Sequence, residues 1–255
     1  MSELLVCIDV TILIAEYLSD KEKMMMTMTS TKMDTLKYKL IYKNKISIDK
    51  IKNLPYFDNF EYVEIFLQDR LCPRNVKYIY FRASTIDMPL PFIRTTLTEN
   101  KVVGITHLEF GNYFNQPVKN AIPTSVTHLI FWGHFNQPLN GNIPVSVTHL
   151  RISRYFNQSI KDLSITHLIL GTPPNSQLIG NIPASVSHII FEDYFNGSIK
   201  NYIPSTVKYL KFGYYFRQSL DDIPLSVIEV TLNQKYDQQI SEHILKRVKI
   251  IKTQQ

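Results

Sequence analysis

A repeat solenoid of parallel β coils, fronted by a small all-helical module, is the fold class that this chain of 255 residues predicts. Three observations predict it. The string Ile-Pro-x-Ser-Val-Thr-His-Leu recurs from about residue 101 onward. An aromatic followed by Asn, as in Phe114-Asn115, comes after each copy. The first fifty residues carry no copy and instead place their apolar residues at helical spacing.

The central Leu of the string or its replacement falls at Leu108, Leu129, Leu150, Leu168, Ile189, Leu210, Val230 and Ile251, at spacings of 21, 21, 18, 21, 21, 20 and 21 residues. Two degenerate copies precede these eight. Cys72-Pro73-Arg74-Asn75-Val76-Lys77-Tyr78-Ile79 mirrors Ile203 to Leu210, and Phe60 to Phe66 keeps the apolar spacing, so the array is expected to begin near residue 54.

Within the unit Ile122 to Phe131, Leu129 and Phe131 are two apart and therefore point to one face of a strand, while His128, Ile130 and Trp132 point to the other. The apolar spacing fits the leucine-rich template, with one short strand per unit. A unit of about 21 residues cannot bury its apolar face alone, so neighbours must stack with strands about 4.8 Å apart, and about ten coils make a rod about 45 Å long. Each Pro, with its fixed φ and missing N–H, marks a corner before a strand.

Stacking aligns the Phe-Asn pairs into two columns. The aromatics Phe114, Phe135, Phe156 and Phe195 are expected to pack as core, and Asn115, Asn136, Asn157 and Asn196 to bond the loop backbone of adjacent coils. Pro174-Asn175 stands in this place in the shortened coil, and Phe216-Arg217 and Tyr236-Asp237 toward the end. The shortened coil also lacks Ile-Pro, since Asp162-Leu163-Ser164-Ile165 runs straight into Thr166-His167, and a dent or bend is expected there.

With Phe-Asn and then Ile-Pro in each copy, residues 101 to 255 resemble the FNIP repeat family, which is related in design to leucine-rich repeats.

The N-terminal stretch reads as helices. Val10, Leu13, Ile14, Tyr17 and Leu18 share one side of a helix ending at Ser19, and Ser19-Asp20-Lys21-Glu22 has capping-box spacing before a Met cluster. Leu36, Leu40 and Ile41 suggest a third helical stretch. Taken in line, Val6-Cys7-Ile8-Asp9-Val10, Ile14, Tyr17-Leu18 and Ser30-Thr31-Lys32 resemble the F-box, with Cys7 where that family has Pro and Asp9 where it has Glu. The resemblance implies that Val6, Cys7, Asp9, Val10, Ile14 and Leu18 form the edge that docks a Skp-type adaptor and, through it, a cullin. The alternative is a helical cap over the open end of the solenoid. The expected domains are 1–50 for the helical module, 51–100 for degenerate first coils and linker, and 101–255 for the solenoid.

Composition narrows the function classes. No run of eighteen apolar residues is present, so no membrane span is expected, and the apolar start lacks a basic leading segment. Two cysteines are too few for a disulfide framework or a zinc site, which points to an intracellular, cytoplasmic protein. The net charge of +6 is spread over lysines interleaved with apolar residues, and no nucleic-acid motif accompanies it; an acidic protein partner fits the charge equally.

Function is expected on the outward strand positions. One row is His107, His128, His149, His167, His188, Tyr209 and Glu229; it is monotonous and reads as a ladder of neutral rings, because parallel imidazoles do not converge on a metal. The next row, Glu109, Ile130, Arg151, Ile169, Ile190, Lys211 and Thr231, is varied, and with Trp132 and Arg154 it is the expected target-binding face. Glycosidase-like chemistry needs carboxylates about 5–9.5 Å apart, whereas Glu109 and Glu192 lie four coils, about 19 Å, apart. No catalytic motif or cofactor is implied. The resemblances together imply a substrate receptor of a cullin-type ubiquitin ligase, from a family best known in amoebae and their large DNA viruses, with a plain interaction scaffold as the alternative.

Overall fold

The computed structural model describes residues 8–66, 71–82, 104–171 and 180–254. It is a parallel β-solenoid whose eleven described strands form one sheet in strict chain order. Three short helices lead in: α1 (Ile8–Ala15), α2 (Asp20–Thr27) and α3 (Thr31–Asp34). The strands are β1 (Ile46–Ser47), β2 (Tyr62–Phe66), β3 (Tyr78–Arg82), β4 (His107–Phe110), β5 (His128–Phe131) and β6 (His149–Ile152). Then follow β7 (His167–Leu170), β8 (His188–Phe191), β9 (Tyr209–Lys211), β10 (Glu229–Asn233), a helical turn α4 (Glu242–Leu245) and β11 (Lys249–Thr253).

The repeat string explains each coil. The Pro carbonyl opens a four-residue turn that the following Val closes, with Val126 N–H donating to Pro123 O at 3.1 Å and the same bond at Val147, Val186, Val207 and Val227. The Val side chain is buried, and the next residues enter the strand. Cys72-Pro73 uses the same turn, closed by Val76 at 3.4 Å, and Cys72 sits buried in the Ile position, where burial pushes its thiol up to about 12. Strand residues alternate: Leu129 and Phe131 are fully buried, and His128 and Ile130 are half-buried.

In register stand Val63, Ile79, Leu108, Leu129, Leu150, Leu168, Ile189, Leu210, Val230 and Ile250. Two expectations are corrected here. The final position belongs to Ile250, not Ile251. The last coil closes through α4, Val248 N–H donating to Ile244 O at 2.9 Å in place of a Pro turn, and this shifts the register by one. The sheet also starts before residue 54, because β1 pairs with β2 through Ile46↔Val63 and Tyr42 bridges Phe60. These residues fall within the stretch assigned to the helical module.

The shortened coil keeps its pairing, Leu150↔Leu168↔Ile189, so the ladder passes through it unbroken. Leu163 and Ile165 bury where longer coils place Ile and Val. Pro174-Asn175 lies outside the described residues.

Three ladders run along the rod. Corner rings stack as Phe114–Phe135 at 5.9 Å, Phe135–Phe156 at 6.1 Å, Phe195–Phe216 at 5.8 Å and Phe216–Tyr236 at 5.9 Å. They interleave with a strand row, Phe131 lying 3.7 Å from Phe135 and Phe212 3.9 Å from Phe216 between ring centres. Three of the four Asn side chains accept a backbone N–H of the next coil, Asn136 N to Asn115 Oδ1, Asn157 N to Asn136 Oδ1 and Arg217 N to Asn196 Oδ1, all at 2.8 Å. These bonds satisfy turn donors that the sheet cannot reach.

The third ladder is the imidazole row, with neighbouring ring centres at 4.0 Å from His107 to His188 and Tyr209 closing it at 4.3 Å. The preceding Thr or Ser explains the Thr-His pair. Its Oγ lies 2.8–2.9 Å from Nδ1 of the ring, and from Thr127 onward it also reaches the carbonyl of its counterpart one coil back at 3.2–3.4 Å. Burial first, and neighbouring imidazoles second, hold His107, His128, His149 and His167 below the ordinary histidine value, His167 down to about 4; burial alone does so for His188.

The helical lead-in is fastened to the first coil. Ser19 forms the full capping box with Glu22, opening α2. α1 therefore ends at Ala15, short of Ser19, because Ser19 serves the next helix as its N-cap. The third helical stretch divides into α3 and a 3₁₀ turn, Thr35–Tyr38, with Leu36 and Leu40 in the core.

Two outcomes follow. Phe135→Ala removes a buried ring packed against Phe114, Phe131 and Phe156 and is expected to cost about 3–5 kcal/mol in denaturant unfolding. The five ladder histidines bind protons less readily in the fold than when unfolded. Stability is thus full above about pH 6.5 and declines as pH falls toward 4, read as a falling melting midpoint over that window.

Candidate functional site

Where the strands end, the outward rows meet a polar and aromatic patch. Arg151, on β6, is its centre. Its Nε and Nη2 donate to the two Glu192 carboxylate oxygens at 2.6 and 2.8 Å, and Nη1 donates to Phe131 O at 2.9 Å. The guanidinium lies over the Trp132 ring, 3.4 Å from its centre. Trp132 Nε1–H in turn donates to Glu109, which also accepts the Tyr62 hydroxyl at 3.0 Å. Burial, and then the Glu109 charge, keep the Tyr62 phenol well above its ordinary value, so it remains a donor. One connected network thus runs from β2 to the end of β8.

This geometry corrects the reading of Arg151 as a target-binding side chain. It is only 8% exposed and its donors are occupied within the chain, because a guanidinium on a half-buried row needs a carboxylate and found one 41 residues away. Arg151 forms the floor of the site. Glu109, Ile130, Trp132, Ile169, Ile190 and Lys211 are half-buried, and Arg154 is exposed. The network joins Glu109, Trp132 and Arg151 with Glu192; Arg154 shares the cavity above Trp132, Arg151 and Glu192, and Ile169, Ile190 and Lys211 do not line it.

That cavity, about 360 Å³, is walled by Trp132, Arg151, Arg154, Tyr155, Glu192 and Tyr194 among others. Gly133 makes its turn possible: φ is +51°, and a Cβ there would stand 2.2 Å from Asn112 O. Along its rim runs an exposed aromatic row that sequence reasoning missed. Tyr113 stacks on His134 at 6.2 Å and His134 on Tyr155 at 5.3 Å, while Tyr194 stacks on Tyr215 at 5.2 Å. The signal was available, since each of these residues directly precedes the Phe of Phe-Asn or Phe-Arg at the repeat period.

Of the adaptor-edge residues, Val6 and Cys7 lie outside the described residues. Asp9, Val10 and Ile14 are exposed on α1 and Leu18 is half-buried. Among the described residues no group of three His, Cys, Asp or Glu could hold a metal ion, and no helix is long and apolar enough to cross a membrane.

Glu192→Gln weakens the pair beneath the cavity. With Glu192 about a third exposed, the expected loss is about 1–3 kcal/mol, below the 3–5 of a fully buried pair, with the change in Trp132 emission as a local readout.

Residues 103–133, 135–173 and 174–215 match the family model described as FNIP Repeat. No curated protein matches the chain. Among solved structures, the one titled the crystal structure of CroV588, a novel circular LRR protein, is similar at 22% identity and a TM-score of 0.44, over 77% of this chain. This chain spans 37% of that one. Between residues 103 and 215 the coils described above thus match the FNIP repeat by sequence, and the structure lays them out as a parallel β-solenoid.

Proposed function

We propose that this chain is the target-recognition subunit of a cullin-type ubiquitin ligase, α1 docking a Skp-type adaptor and the solenoid capturing a protein. The observation that carries the reading is the outer side of α1. Val10, Leu13 and Ile14 on α1, and Tyr17 in the turn just after it, follow one another at i, i+3, i+4 and i+7 and are 54%, 63%, 54% and 88% exposed. An apolar stripe of this kind is the form in which one helix offers itself to a partner. The F-box resemblance names the partner, and the repeat solenoid supplies an extended surface suited to protein binding.

A second reading, a capped scaffold without a ubiquitin link, is favoured by the inner side of the same helix. Ala15 belongs to the core cluster that continues through the first coils, and Ile8 and Ile12 pack against it. The two roles use opposite faces.

Deleting residues 1–50 would remove β1 and the buried Leu36, Leu40, Tyr42 and Ile48, so it does not isolate the docking face. The discriminating pair is the full chain and its Leu13→Glu, Ile14→Glu variant, each used to capture purified Skp-type adaptor and cullin. Capture by the first and not the second supports the ligase reading; capture by neither leaves the scaffold.

A further inference from the structure

The rim of the Trp132 cavity has a period and a chemistry that select one kind of ligand. Its exposed rings are Tyr113, 53% exposed, Tyr155, 48%, and Tyr194, 73%, with His134 between the first two and Tyr215 continuing beyond. Tyr and Trp supply large, stiff, amphipathic contact area and dominate protein interfaces. Of the two arginines lining the cavity, Arg151 is closed by Glu192. Arg154 rests with its guanidinium 4.8 Å from the Tyr155 ring centre and pairs with no carboxylate among the described residues.

Tyr155 and Tyr194 wall this cavity from coils two strands apart, about 9.6 Å along the rod at strand spacing. A polyproline II helix returns to the same face every three residues, after about 9.3 Å. An extended β-strand returns after two residues, about 6.7 Å, and needs a backbone edge to pair with, which a ridge of side chains does not offer. A polyproline II ligand also leaves its carbonyls unbonded and free to accept from tyrosine hydroxyls.

We infer that this aromatic ridge docks a proline-rich segment of a partner protein, in polyproline II conformation, whose adjacent acidic residue pairs with Arg154. The inference rests on the protein-capturing half of the function proposed above and is independent of the α1 face.

The chain contains a single tryptophan, Trp132, in the wall of the site, which makes its emission a direct reporter. The full chain is titrated with a polyproline peptide carrying one glutamate, and with a glycine-serine peptide of equal length carrying the same glutamate. Saturable change with the first alone is the expected result. Tyr194→Ala, at an exposed position, weakens it about tenfold or more, and Arg154→Ala weakens it about three- to tenfold while flattening its salt dependence. Leu13→Glu leaves it unchanged. No emission change in the wild-type chain, or equal binding of the glycine-serine peptide, overturns the inference. Peptide binding by a chain that captures no adaptor supports it and counts only against the ligase reading.

Discussion

Parallel stacking in register is the constraint from which the rest of this structure follows. In such a sheet every side chain has, as its nearest neighbour in the next coil, the side chain at the equivalent position, about 4.8 Å away. A position survives repetition only if its residue tolerates contact with itself. Phenylalanines do, as offset stacks, and asparagines do, because the side chain can accept from the backbone of the next coil. Imidazoles do while neutral. A repeated charge does not: at that spacing like charges repel by about 0.9 kcal/mol even in bulk water and by more when half-buried. Several charges on or beside the sheet accordingly occur as complementary pairs between coils, Glu61 with Lys77, Glu229 with Lys249 and Arg151 with Glu192.

The same constraint separates scaffold from surface. A column that must match itself carries no information about a partner, so the Phe, Asn and His ladders are silent by construction. Information can sit where the pattern is broken. Glu109, Trp132, Arg151 and Glu192 replace repeated residues with four different ones, each requiring another, and the last three line a cavity. Their mutual bonds hold the floor rigid, and the side chains left over for a partner are those on the rim.

What could be read from the sequence follows this division. The period, the inward Leu and Phe, and the corner Pro were legible because repetition states each of them many times. Arg151 was misread because the outward direction of a strand position says nothing of a carboxylate 41 residues on. The shift from Ile251 to Ile250 was invisible because two adjacent isoleucines fit either register, and α4 decides between them. β1 was missed because two residues with no Pro turn before them carry no pattern; only Val63 and Glu64 across the sheet define them as strand. The tyrosine row was legible in principle, but a residue beside a conspicuous Phe reads as part of the turn until its exposure is known.

A stack of coils also needs an end that does not stack, and here the end is built from the helices. Lys23, almost fully buried, donates to Ile41 O at 2.7 Å and lies 3.4 Å from Asp20. Asp20 receives the Lys43 and Asn44 amides at 3.0 and 2.7 Å. These bonds clamp α2 to the turn that enters β1, and the core passes without interruption from Ala15 through Leu36 and Tyr42 to Val63. The helical module is therefore not a tethered domain but the first layer of the rod. Whatever binds the outer face of α1 is held in fixed orientation to whatever binds the aromatic ridge, with no flexible linker to search through. On the proposed reading of the chain as a receptor, continuity of the core from α1 to the coils would hold a captured protein at one distance from the docked partner, which a linker would undo.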